Sequence, residues 1–74
     1  MKKSEIVLNG KYANQAGTVR KVIAMGPEYV LYYGQADRDN LRYRVLTRGA
    51  HYTGPNEGNS TRTSFAAWAK EKVK

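Results

Sequence analysis

The chain has 74 residues, with thirteen Lys and Arg against six Asp and Glu, and carries a formal net charge of +7. It has no cysteine and a single histidine, which excludes disulfides, thiolate metal sites and a cysteine nucleophile. Its longest apolar run, Tyr29-Val30-Leu31-Tyr32-Tyr33, is five residues, far short of a bilayer span. No apolar stretch follows Met1-Lys2-Lys3-Ser4-Glu5, so no secretory signal is read and a cytoplasmic protein is expected, one small domain over 1–74.

Turn signals recur at short intervals: Asn9-Gly10, Asn14 to Gly17, Gly26-Pro27, Gly34, Asp37 to Asn40, Gly49 and Gly54 to Asn59. The runs between them are rich in β-branched and aromatic residues, the pattern of a small antiparallel sheet. Five strands are expected. The first is Ile6 to Leu8, continued after a bend by Lys11 to Ala13. The second, Thr18 to Ala24, forms a hairpin with the third, Tyr29 to Tyr33, through Met25-Gly26-Pro27-Glu28. Leu41 to Leu46 and Ser60 to Thr63 complete the set, with 49–59 as a mobile loop between them. At the end of the chain Phe65, Trp68, Ala69 and Val73 fall at i, i+3, i+4 and i+8, one face of a helix. That spacing predicts a C-terminal helix over about 64–73, with 64–74 packed on the sheet. Thr63 or Ser64 would cap it, and Lys70, Lys72 and Lys74 would complement its dipole. Phe65 and Trp68 are its core anchors.

Alternation assigns faces. In Leu41-Arg42-Tyr43-Arg44-Val45-Leu46, the residues Leu41, Tyr43 and Val45 share the inward face and Arg42 and Arg44 the outward one. Val19-Arg20-Lys21-Val22 breaks the alternation, so one of its charges must lie near an edge or a bulge. At least one tyrosine of Tyr29 to Tyr33 must present its ring on the outer face.

The stretch Gly17-Thr18-Val19-Arg20-Lys21-Val22-Ile23 is similar to the strand of a KOW element, and the order of elements over roughly residues 11 to 46 resembles the small SH3-like barrels of the Tudor and KOW types. The chain is also similar to short bacterial and phage proteins of unknown function, which share Asn14, Gly17, Arg20 and Val22 and a terminal Phe65, Trp68 and Ala69. These resemblances imply a mainly β fold: a five-stranded, strongly bent antiparallel sheet or SH3-like barrel with one C-terminal α-helix. The aromatic cage that Tudor domains use for methyl-lysine does not map onto this chain. The type II dihydrofolate reductases share the SH3-like barrel, but Val30-Leu31-Tyr32-Tyr33 stands where their Val-Gln-Ile-Tyr signature would fall, so their activity is not carried over.

The position of the charge matters more than its sum. The terminal lysines with Glu71 hold +4, and residues 4 to 69 hold +3. All six arginines lie between Arg20 and Arg62, and Arg38, Arg42, Arg44 and Arg48 fall within eleven residues. Arginine suits phosphate or carboxylate held bidentately. Lys21, Arg42, Arg44 and Arg48 are therefore the candidate phosphate contacts, with Tyr32 and Tyr52 as candidate stacking rings.

Other motifs carry no chemistry. Asp37-Arg38-Asp39-Asn40 lacks the glycine and glutamate of a calcium loop and reads as an Asx turn neutralised by Arg38. Gly54 to Ser60 lacks the Gly-Lys-Ser/Thr of a phosphate-binding loop. His51 has no recognisable catalytic partner. The expected function is a non-catalytic binding module, associated with nucleic acid, DNA or RNA, through an arginine-rich face, with no cofactor and no metal. The alternative is a protein-interaction or inhibitory accessory protein of phage or mobile-element type. A thin core and open sheet edges favour a homodimer.

Overall fold

The computed structural model describes all 74 residues. A single 3-10 turn, Lys3–Glu5, precedes five strands and one helix: β1 (Lys11–Ala13), β2 (Val19–Met25), β3 (Asn40–Thr47), β4 (Glu57–Thr61), α1 (Arg62–Trp68) and β5 (Glu71–Val73). The strands form one antiparallel sheet in the order β4-β3-β2-β1-β5. It is an open sheet, with β4 and β5 at its edges. No helix is long and apolar enough to cross a membrane.

The core lies between the inner face of this sheet and α1. Ile6, Tyr12, Val22, Leu41, Phe65, Ala66 and Ala69 form one buried cluster, with Met1, Met25, Tyr43 and Trp68 packed against it. Phe65 sits at its centre, with its ring centroid 5.6 Å from Tyr12, 5.9 Å from Tyr43 and 5.3 Å from Trp68, within the range where aromatic pairs attract beyond simple area burial. Small alanines at 66 and 69 let the helix approach the sheet closely. Gly58 faces Tyr43 across β3 and β4, and a Cβ there would stand 2.8 Å from the Tyr43 hydroxyl, so the missing side chain makes room for that ring.

Alternation in β3 holds in part: Leu41 is fully buried, Tyr43 and Val45 are half-buried and Arg44 is exposed, but Arg42 is half-buried, held against Asn59 and Glu57. The irregularity read in Val19 to Val22 is also present. The register between β2 and β3 shifts between Val19 and Arg20 and again between Val22 and Ala24. The extra residue is Leu46 of β3 at the first shift and Ile23 of β2 at the second, and such residues bend the strand that carries them. Arg20 stands opposite Tyr12 and Val45 and so lies on the inner side. Its guanidinium carbon lies 4.2 Å from the Tyr43 ring centroid and 4.1 Å from that of Trp68. Arg20 Nε is buried with no hydrogen-bond partner, so the two π faces supply the attraction that a carboxylate would otherwise give.

Four expectations need correction. Tyr29 to Tyr33 is not a strand. The turn at Gly26 forms, with Tyr29 N–H donating to Gly26 O at 3.3 Å, but both edges of β2 are already paired, to β1 and β3. The segment instead belongs to an irregular 26–39 connection between β2 and β3. The helix occupies Arg62–Trp68 and not 64–73. Its cap is Thr61, whose side chain accepts from Ser64 N–H at 3.1 Å, and Ala69 leaves the helical region at ψ 132°. Lys70 N–H then donates to Ala13 O at 2.8 Å, and Glu71–Val73 pairs with the free edge of β1, Val73 opposite Lys11. Of the lysines expected at the helix end, Lys70 is placed there, its Nζ donating to Ala67 O at 3.1 Å, whereas Lys72 lies in β5 and Lys74 follows it.

Ile6 to Leu8 is likewise no strand, because Asn9 adopts φ 67° and turns the chain. Ladder bonds resume only there, with Asn9 N–H donating to Val22 O and Val22 N–H to Gly10 O. The Tyr12 hydroxyl holds this irregular segment, donating to Glu5 O at 2.6 Å and accepting from Val7 N–H at 2.9 Å. Finally, the last strand before the helix is Glu57–Thr61, so the expected loop 49–59 gives its final three residues to β4.

Candidate functional site

Strand register decides which side chains meet on the outer face. Arg44 of β3 stands opposite Lys21 of β2 on one side and Glu57 of β4 on the other. Lys21 in turn stands opposite Lys11 of β1. One row therefore crosses four strands: Lys11, Lys21, Arg44, Glu57. Neighbouring strands are about 4.8 Å apart, so these side chains are near neighbours. A second row, two residues along β3, places Arg42 between Ala24 and Asn59.

Glu57 ties the rows together. Its Oε1 lies 3.2 Å from Arg42 Nη2, and its Oε2 is 3.1 Å from Arg44 Nε. These contacts are roughly half-exposed, so each contributes at most about 1 kcal/mol to stability. One carboxylate thus serves two guanidinium groups, and Lys11 and Lys21 have no ion-pair partner within 4 Å. The remaining mid-chain carboxylates are elsewhere. Asp39 is paired with Lys3 at 2.7 Å and Arg62 at 4.0 Å. Asp37 accepts from Asp39 N–H at 3.0 Å, which is the expected Asx turn. Its neighbour Asp39 is neutralised by Lys3 and Arg62 and not by Arg38.

Arg48 follows the end of β3. It donates to Asn56 Oδ1 at 2.8 Å, beside Glu57, and its guanidinium lies 5.4 Å from the Tyr52 ring centroid. Tyr52 is half-buried, its hydroxyl donating to Pro55 O. Between Arg44 and Arg48, Leu46 is exposed. Residues of one face recur about 6.7 Å apart along a strand, which sets the spacing of Arg42 and Arg44, and Arg48 extends them into a strip just beyond the end of β3 through its contact with Asn56.

Tyr32 lies off the sheet, in the 26–39 connection, and is 64% exposed. That connection meets the strip through Asn59, whose Nδ2 donates to Val30 O at 3.0 Å while its Oδ1 accepts from Arg42 Nη1 at 2.9 Å. Of the six residues predicted from sequence, Lys21, Arg42 and Arg44 come together, Arg48 and Tyr52 pair at one end of the strip, and Tyr32 belongs to the loop joined to the other.

Sequence reasoning missed Lys11, Glu57, Asn59 and Tyr33. Lys11 carried a strand signal but no register. Glu57 sits in a Pro- and Gly-rich stretch that hides the start of β4. At the Lys11 end of the row, a concavity of about 220 Å³ lies between Val7–Lys11 and Lys72–Lys74. No family model, curated protein or solved structure matches this chain.

Proposed function

We propose that the protein is a non-catalytic module that holds nucleic acid by its phosphates on the outer face of the sheet. The observation that carries this reading is the shared face of Lys11, Lys21, Arg42 and Arg44, extended by Arg48, with Glu57 as the single acid paired within it. Guanidinium groups bind phosphate through paired N–H donors, and a cationic strip with adjacent aromatic rings suits a polyanion with stackable bases. The SH3-like identity belongs to the same proposal: the two register shifts between β2 and β3, with Leu46 and Ile23 as the extra residues, supply the local bends that a partly rolled sheet needs.

A second reading, a protein-interaction or accessory role, is favoured by one feature. Val30, Leu31, Tyr32 and Tyr33 are all exposed on one loop, and aromatic residues are enriched in protein interfaces. Charge reversal separates the two. In fluorescence anisotropy with a generic labelled oligonucleotide, Arg44→Glu should weaken binding at least tenfold with the fold intact by circular dichroism. Unchanged oligonucleotide affinity in that variant rejects the phosphate-binding reading.

A further inference from the structure

We infer that the ligand of this face is single-stranded nucleic acid, with Tyr32 and Tyr33 of the β2–β3 connection as its base-stacking platform. The inference rests on the phosphate-binding reading and adds the class of polymer. Tyr33 is fully exposed, at 104% of the reference area, and Tyr32 is 64% exposed. Neither ring is stacked on another side chain.

The backbone that carries them is nonetheless built. Gln35, buried beneath the loop, accepts from Leu31 N–H at 2.9 Å and donates to Asp37 O at 2.6 Å and Asn40 Oδ1 at 2.8 Å. Gly34, at φ 82°, makes the reversal directly after Tyr33. A turn pinned in this way spares the cost of ordering the backbone when a ligand stacks on the two rings, leaving only their side-chain rotations to be fixed.

Charge complementarity decides the occupant. Asn59 hydrogen-bonds both the loop, at Val30, and the cationic strip, at Arg42, so a chain whose phosphates follow Arg42 and Arg44 passes the foot of the loop. Its bases must be free to reach the rings. A duplex hides its base faces in the stack, whereas a single strand offers one face per nucleotide, and sequence-tolerant stacking on aromatic side chains is how such strands are held. An acidic polypeptide could satisfy the arginines but has nothing to stack.

The test measures binding of single-stranded DNA, duplex DNA of equal phosphate count and poly-glutamate to the intact protein and to Tyr32→Ala, Tyr33→Ala and Tyr33→Phe. The expected result is a preference for the single strand, lost by about tenfold in each alanine variant and kept in Tyr33→Phe. Duplex binding and the salt dependence should be unchanged in all three. Salt-dependent binding that is equal for single strand and duplex, and indifferent to both alanines, overturns this inference and leaves the phosphate-binding reading standing. Poly-glutamate binding as tightly as the single strand also overturns it, in favour of a protein partner. No salt-dependent binding to any of the three polymers rejects the underlying reading itself.

Discussion

Glu57 holds the strip at less than its full charge, and replacing it with glutamine isolates that effect. The carboxylate bridges Arg42 and Arg44 at 3.2 and 3.1 Å. A phosphate docked on either guanidinium stands about two contact distances away from it, about 6 Å, where two like charges repel by about 0.7 kcal/mol in the dielectric of water. Glu57→Gln removes that repulsion and keeps one oxygen to accept from an arginine. Affinity for an oligonucleotide should rise by about twofold at 0.1 M salt, where the Debye length is about 10 Å, and approach about threefold at low ionic strength where screening vanishes. The freed guanidinium should also steepen the log–log salt slope by about 0.7 for a single strand. Stability should change by less than about 1 kcal/mol, because the pairs are exposed to solvent. Fluorescence anisotropy over a salt series reads affinity and slope together. Weaker or unchanged binding by a folded Glu57→Gln protein would refute the reasoning, since a face that repels phosphate less must hold it better.

Two further substitutions test the frame behind the site. Tyr12→Phe removes two hydrogen bonds from a fully buried hydroxyl, at about 2 kcal/mol in all, so thermal unfolding followed by circular dichroism should shift down by about 10 °C; a shift under about 2 °C contradicts this. Gly49→Ala would set a Cβ 2.6 Å from Thr18 N and 2.7 Å from Thr18 Oγ1, at a cost of about 1–3 kcal/mol, visible as a lower urea midpoint with an unchanged m-value.

The amino-acid pattern disclosed those features that depend on one segment alone. Alternation in Leu41 to Val45 gave the faces of β3 because a strand sends successive side chains to opposite sides. The broken alternation in Val19 to Val22 signalled an edge or a bulge, and Phe65 and Trp68 marked the core side of α1. What failed needed knowledge of partners. Val73 continues the helical spacing of Phe65, but the open edge of β1 offers it a ladder, and Ala69 ends the helix first. Tyr29 to Tyr33 has strand composition, yet β2 has no edge left to receive it.

The site divides along the same line. That Arg42 and Arg44 share a face was legible in β3. Their meeting with Lys21, Lys11 and Glu57 depends on the registers of three neighbouring strands, which no local pattern encodes. Glu57 matters most here, since its placement sets how much of the strip's charge is free.

The dependence of oligonucleotide affinity on salt is the most direct test of the cationic strip. Four phosphate contacts, from Lys21, Arg42, Arg44 and Arg48, give a single strand a log–log slope of about −2.8, a loss of roughly 50-fold between 50 and 200 mM salt. A slope near zero contradicts the account, because no surface that binds through phosphate can ignore the counterions it displaces.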